Sequence, residues 1–171
     1  MRQQIVVSGL GGQGVLFLTR VIAESALRCG APVLTAETHG MAQRGGSVLS
    51  TIKVGAFRSP LIARGAADVG LFLAAENLPV HGSLLSPAGG LIVATSQAGD
   101  YRGVDAAAVA RELGAPVLAN LVLLGAAVAA DLLCVGRVEV EATIRAISPP
   151  QLVEANLEAF ARGLELGAGE E

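Results

Sequence analysis

A chain of 171 residues is the size of one ordinary domain and can bury a core without disulfide or metal staples. More than half of it is apolar (52%) but only 3% is aromatic, with 22 glycines; this is an aliphatic core packed through small residues, as in α/β folds with a largely parallel sheet. The net charge of −3, with both signs interspersed, leaves no basic field for nucleic acid and no polybasic segment for a membrane surface, so neither is expected as a partner.

Met1-Arg2-Gln3-Gln4 runs straight into the apolar Ile5-Val6-Val7 without a signal-peptide core, which implies the cytoplasm and a first buried strand. A glycine loop follows, Gly9-Leu10-Gly11-Gly12-Gln13-Gly14, and then apolar residues at helical spacing over 15–27. Gly30 suits the position just past a helix end and Pro32 blocks continuation, so Val33-Leu34-Thr35-Ala36 is expected as the second strand of a βαβ unit. Residues 37–46 are polar and glycine-containing, and 47–54 alternate as a strand with one exposed face. Residues 69–74 and 91–95 read as further strands, 105–113 as a helix stopped by Gly114 and Pro116, and a strand is expected near Val117.

From 120 onward the spacing is helical: 120–133, 138–147 and a last helix introduced by Ser148-Pro149-Pro150. The apolar run 119–134 is short for a membrane span and is interrupted by Asp131, so it reads as a buried helix. These elements predict an α/β fold: a Rossmann-like, mostly parallel sheet flanked by helices, with a helical C-terminal third. Residues 1–166 form one domain, and 167–171 a frayed tail. Cys29 and Cys134 are far apart and outside any CxxC, so each reads as a buried thiol, and together they cannot supply the four thiolates of an iron-sulfur cluster.

Gly9, Gly11 and Gly14 have the G-x-G-x-x-G spacing and lie between strand and helix, where a phosphate-binding turn needs them. The first glycine permits the tight turn, the second lets backbone approach a phosphate, and the third lets helix pack on strand. The helix N-terminus adds free N–H groups and a positive dipole end. Gly12 removes a further side chain, and Gln13 brings an amide to the helix mouth. No Lys-Ser or Lys-Thr follows, which disfavours triphosphate hydrolysis. Glu37, at the end of the second strand, occupies roughly the place of the acidic ribose binder of a dinucleotide domain. An NAD- or FAD-binding module is therefore one reading of the loop, and a purely structural turn is another.

Hydroxyl, imidazole, amide and guanidinium groups concentrate in Glu37-Thr38-His39-Gly40-Met41-Ala42-Gln43-Arg44-Gly45-Gly46-Ser47. Together with the glycine loop and Arg58-Ser59-Pro60-Leu61-Ile62, this stretch resembles the gamma-type domain of the 2-oxoacid:acceptor oxidoreductases. Its Thr-His-Gly-Met-Ala-Gln-Arg-Gly-Gly form is most similar to the beta subunit of the indolepyruvate:ferredoxin members. The resemblance extends through Ala67-Asp68-Val69, Asn120-Leu121-Val122-Leu123-Leu124-Gly125 and Asn156. It departs at Pro79-Val80-His81-Gly82, where a longer helix is expected.

The resemblance implies a non-catalytic subunit of an enzyme that decarboxylates a 2-oxoacid oxidatively with coenzyme A, yielding acyl-CoA and carbon dioxide and reducing a ferredoxin-type acceptor. Thiamine diphosphate and iron-sulfur clusters would be held by a larger partner subunit, and no cofactor by this chain alone. Coenzyme A is the natural ligand of the glycine loop, bound by Gly9, Gly11, Gly12, Gln13 and Gly14 with Thr38, His39, Gln43, Arg44, Gly45 and Gly46. Arg44 is the planar cationic donor for a phosphate or carboxylate. Neither a catalytic residue nor a metal ligand is assigned. His81 reads as a loop residue and Ser59-Pro60 as a turn. The competing functions are a free-standing NAD- or FAD-binding module and an architectural interface domain, and the isolated chain could self-associate.

Overall fold

The computed structural model describes residues 1–39 and 45–169, with the side chain of His39 also left undescribed; Gln43 and Arg44, singled out above, lie outside the described residues. Among the described residues six strands form one sheet: β1 (Gln3–Leu10), β2 (Val33–His39), β3 (Ser47–Val54), β4 (Ala67–Phe72), β5 (Leu85–Ala94) and β6 (Arg102–Val104), in the order β2-β3-β1-β4-β5-β6. β1, β4, β5 and β6 pair in parallel, whereas β3 runs antiparallel to both of its neighbours.

The mostly parallel α/β fold is as expected, but the opening unit is rearranged. Helix α1 (Val15–Arg28) leads from β1 to β2, and the chain then turns back so that β3 lies between them. This central position explains why β3 lacks the expected exposed face: Ser50 to Val54 are all buried. Even Lys53 is 9% exposed, with its ammonium 5.0 Å from the Phe57 ring centroid, over which the Arg2 guanidinium also lies at 4.5 Å. A cation over a ring face tolerates burial of its aliphatic stem.

One sheet face carries the main core. Ile5, Val7, Ile52, Val69, Leu71 and Ile92 pack with Leu18 and Ile22 of α1 and with Leu121 and Leu124 of α4 (Ala119–Ala129). The other face has a smaller cluster of Val6, Ile62, Phe72 and Val93, closed by Leu78 and Leu84. Leu78 begins the four-residue helix α2 (Leu78–His81). Residues 116–118 form a 3-10 turn rather than the expected strand, because Pro116 has no N–H for a sheet ladder. The short strand β6 has too little pattern to be read from sequence. Helices α3 (Ala106–Glu112), α5 (Arg137–Ile147) and α6 (Val153–Ala168) complete the chain. The cysteines are not the buried thiols expected: Cys29, just past the end of α1, is exposed and Cys134 is half-buried.

Helix α4 is buried at nine consecutive positions, Asn120 to Val128, and α6 meets it through glycines. A Cβ at Gly163 would strike the Val122 carbonyl, and one at Gly167 would lie 2.6 Å from the Ala126 carbonyl oxygen. A Cβ at Gly125 would strike the Phe160 carbonyl and lie 2.7 Å from the Leu164 nitrogen. Since backbone cannot rotate away, Gly125→Ala should cost about 1–3 kcal/mol, a loss typical of overpacking. Thermal unfolding of the variant would measure it, and an unchanged midpoint would contradict such close packing.

Candidate functional site

The glycine loop joins β1 to α1 at the C-terminal end of the parallel strands, where α/β sheets place their ligands. Each glycine has its own reason. A Cβ at Gly9 would lie 2.8 Å from Val15 Cγ2, 2.9 Å from Gln13 Oε1 and 3.1 Å from Leu73 Cβ, so only glycine lets β1 pass between the helix start and the end of β4. Gly12 faces open space but has φ +93°, a conformation costly for any side chain. Gly14, the residue before α1, has φ +77°, and a Cβ there would strike the Asn120 amide.

The loop is held by carboxamides on three sides. Gln13 Oε1 accepts from the Leu10 N–H (2.7 Å) and its Nε2 donates to the Leu73 carbonyl (3.2 Å), so this amide ties β1 to β4 within the protein rather than pointing outward. Asn120, at the start of α4 and 3% exposed, donates to the Gly14 carbonyl (3.2 Å). Asn77, 4% exposed, donates through Nδ2 to the Gly9 carbonyl (2.8 Å) and to Ser8 Oγ (3.0 Å). Ser8 is fully buried, and its hydroxyl oxygen lies 2.7 Å from His81 Nδ1.

Of the loop amides, Gly11 N–H donates to the Gly46 carbonyl (2.9 Å) and Gln13 N–H to the Leu10 carbonyl (3.1 Å). The first helical bond of α1 runs from Leu18 N–H to the Gly14 carbonyl, which leaves the N–H groups of Val15, Leu16 and Phe17 without helical partners. Among the described residues no side chain caps this end of α1, and its first turn contains no acidic residue. The positive end of the helix dipole therefore meets no counter-charge from its own turn.

Beside this helix end is a groove of about 390 Å³ lined by Leu10, Gly11, Gly12, Gly14, Val15, Leu16, Val48 and Val117. A second, mainly apolar groove of about 230 Å³ shares Gly14 and Val117 and extends past Phe17 and Leu152 to Asn156. Leu16, Val117 and Leu152 form exposed apolar points along these grooves, at 41, 47 and 46% exposure. The site thus offers amides that have no partner among the described residues, and a helix dipole, for an anion beside apolar walls for an uncharged moiety.

Among the sequence-assigned residues, Gly45 and Gly46 come to the loop through β3, and the Gly46 carbonyl touches it directly. Thr38 and His39 end β2, two strands away from β1. Glu37 lies level with Ser50 of β3, which lies level with Val7 of β1. The intervening strand sets β2 about 10 Å from β1, twice the spacing of adjacent strands. The acidic residue is thus displaced from the place a dinucleotide ribose requires. His81 is not a simple loop residue: it ends α2 and reaches Ser8. Asn77 had no sequence signal beyond being a carboxamide just after a strand end.

A strand, glycine turn and uncapped helix with an antiparallel strand inserted beside it defines a glycine-loop α/β domain distinct from the dinucleotide-binding type. The chain belongs to the pyruvate ferredoxin/flavodoxin oxidoreductase family, whose profile matches residues 4–166. It is 33% identical over 189 residues to the indolepyruvate oxidoreductase subunit IorB of Archaeoglobus fulgidus, covering 95% of this chain and 94% of that one. Identity to the IorB subunit of Methanothermobacter thermautotrophicus is 32%, with 98 and 99% covered.

Among solved structures, the fold is similar to the gamma subunit of a keto/oxoacid ferredoxin oxidoreductase from Geobacter sulfurreducens (TM-score 0.79, 27% identity, 99 and 100% covered). It is also similar to pyruvate oxidoreductase subunit PORC from Thermotoga maritima (TM-score 0.80, 26% identity, 96% of each chain covered). The fold recurs within a longer chain, 32% of which is covered, in 2-oxoglutarate:ferredoxin oxidoreductase from Magnetococcus marinus (TM-score 0.81, 19% identity). The present chain is a subunit of a 2-oxoacid:ferredoxin oxidoreductase. Among the described residues no helix is long and apolar enough to cross a membrane.

Burial pushes the His81 imidazole below its ordinary pKa. Between the lowered folded value and the unfolded value of about 6.5, the unfolded chain binds more protons at this position. Its contribution is therefore intact above pH 6.5 and is lost as pH falls through the folded pKa. The melting temperature of the native chain should drop more steeply than that of His81→Asn on acidification from pH 7.5 to 5.5; parallel curves would contradict a neutral, half-buried His81.

Proposed function

We propose that this chain is the non-catalytic, coenzyme A-positioning subunit of a thiamine-diphosphate-dependent indolepyruvate-type oxidoreductase. The observation that carries the reading is the uncapped start of α1, free of acidic residues, opening on apolar-walled grooves. A simple phosphate would use the amides and leave the apolar walls idle. Coenzyme A has both parts, phosphates for the helix end and a largely uncharged remainder for the walls. Arg44, by its residue type and its place before Gly45, is the cationic partner for a phosphate.

The reacting groups are assigned to the partner. Two cysteines in the whole sequence are too few for a four-thiolate cluster, and among the described residues no group of three His, Cys, Asp or Glu is arranged to hold a metal. Thiamine diphosphate on the larger subunit would supply the decarboxylation chemistry, its clusters would pass electrons to a ferredoxin-type acceptor, and this chain would hold the acyl acceptor in place. Leu16, Val117 and Leu152, exposed beside the loop, suit contact with that subunit in a cytoplasmic hetero-oligomer.

Displacement of Glu37 by the inserted strand weighs against the dinucleotide alternative. The complex isolated through this chain should contain a larger thiamine-diphosphate subunit and reduce its acceptor only when both 2-oxoacid and coenzyme A are present. Loss of a charge-assisted contact in Arg44→Ala should weaken coenzyme A by roughly tenfold while leaving assembly intact. A complex that responds to NAD but not to coenzyme A, or an Arg44→Ala variant altered only in assembly, would overturn the proposal.

A further inference from the structure

Beneath the glycine loop, on the sheet face away from α1, a chain of side-chain hydrogen bonds runs from His81 through Ser8 and Asn77 to the Gly9 carbonyl. Its donors can be ordered. An amide nitrogen only donates, so Asn77 Nδ2 gives one hydrogen to Gly9 O and the other to Ser8 Oγ. A serine hydroxyl can accept twice, but among the described residues Nδ1 is the one neighbour of Ser8 Oγ able to take its hydrogen, so the Ser8 hydroxyl is assigned as donor to a bare Nδ1 of a neutral His81 ring. Every hydrogen at Ser8 Oγ and Asn77 Nδ2 is then satisfied inside a site where unmet polar groups would be costly.

Anchoring residues 75–84 to the sheet needs no such chain, because Leu78 and Leu84 already pack against the Val6 and Phe72 cluster. The chain ends instead on the backbone of a closely confined residue of the loop. Gly9 is confined by Val15, Gln13 and Leu73, and Gln13 in turn holds the Leu10 N–H. A displacement of Gly9 by a few tenths of an ångström would therefore propagate to Gln13 and to the first turn of α1, whose amides face the groove.

We infer that Asn77, Ser8 and His81 are positioning residues that fix the Gly9 carbonyl and thereby the amides at the start of α1 in the geometry that binds the anionic end of coenzyme A. The inference rests on the coenzyme A reading above. It also gives a role to His81, in the segment where this sequence departs from the pattern it otherwise resembles.

The test uses the complete enzyme assembled from this chain and its partner, with coenzyme A and the 2-oxoacid varied separately. Asn77→Asp keeps the size of the side chain but turns an acceptor toward Gly9 O and Ser8 Oγ, and His81→Leu removes the acceptor for Ser8. Each should raise the KM for coenzyme A by about five- to tenfold, the effect of one or two hydrogen bonds. The KM for the 2-oxoacid should stay within twofold. His81→Asn, whose Oδ1 can take the place of Nδ1, should restore the native coenzyme A KM.

If Asn77→Asp does not fold, the His81 pair carries the comparison, because its site is nearer the surface. Lowered melting temperatures with an unchanged KM for coenzyme A, or failure of His81→Asn to rescue, would overturn the inference. A native enzyme indifferent to coenzyme A would instead overturn the reading beneath it.

Discussion

The antiparallel ladder between β1 and β3 is the constraint on which the rest of the site depends. Its register runs from Gln3 opposite Val54 to Leu10 opposite Ser47, so the end of β3 is delivered directly to the glycine loop. There the Gly46 carbonyl occupies the Gly11 N–H and Val48 becomes a groove wall. The same ladder keeps β2, with Glu37 and Thr38, one strand farther from the loop. A familiar glycine spacing is thereby built into a site with a different polar complement from that of a dinucleotide domain.

Within that frame, carboxamides do what charged groups do in many anion sites, but from behind. Gln13, Asn77 and Asn120 use their amides on protein carbonyls and on one backbone N–H, fixing the loop from three directions. None adds a charge of its own to the field of the α1 dipole. Held in advance, such amides need little reorganisation when an anion arrives.

Much of this was legible in the sequence. The strand–loop–helix opening, the αL glycines and the helical C-terminal third follow from spacing and from the conformational demands of Gly and Pro. The strand order was not, because pairing β3 with β1 is a non-local choice: the alternation in 47–54 fits an edge strand and a central strand equally until its neighbours are known. Asn77 and His81 were missed for a related reason. They are isolated polar residues in a segment without periodicity, and their partners, Ser8 and Gly9, are about seventy positions away. Asn120 drew notice only through family resemblance, since its contact with Gly14 spans more than a hundred residues.

The seam between α4 and α6 bears on how such a domain can diverge. Where helices meet main chain to main chain, through Gly125, Gly163 and Gly167, their separation is set by the absence of side chains rather than by the fit of particular ones. Apolar positions elsewhere on the two helices are then freer to exchange one aliphatic residue for another without moving the axis of α4, and with it Asn120. A C-terminal half that is variable in sequence yet fixed in shape is what such a joint allows, and it suits a fold retained at TM-scores near 0.8 by chains sharing little more than a quarter of their residues.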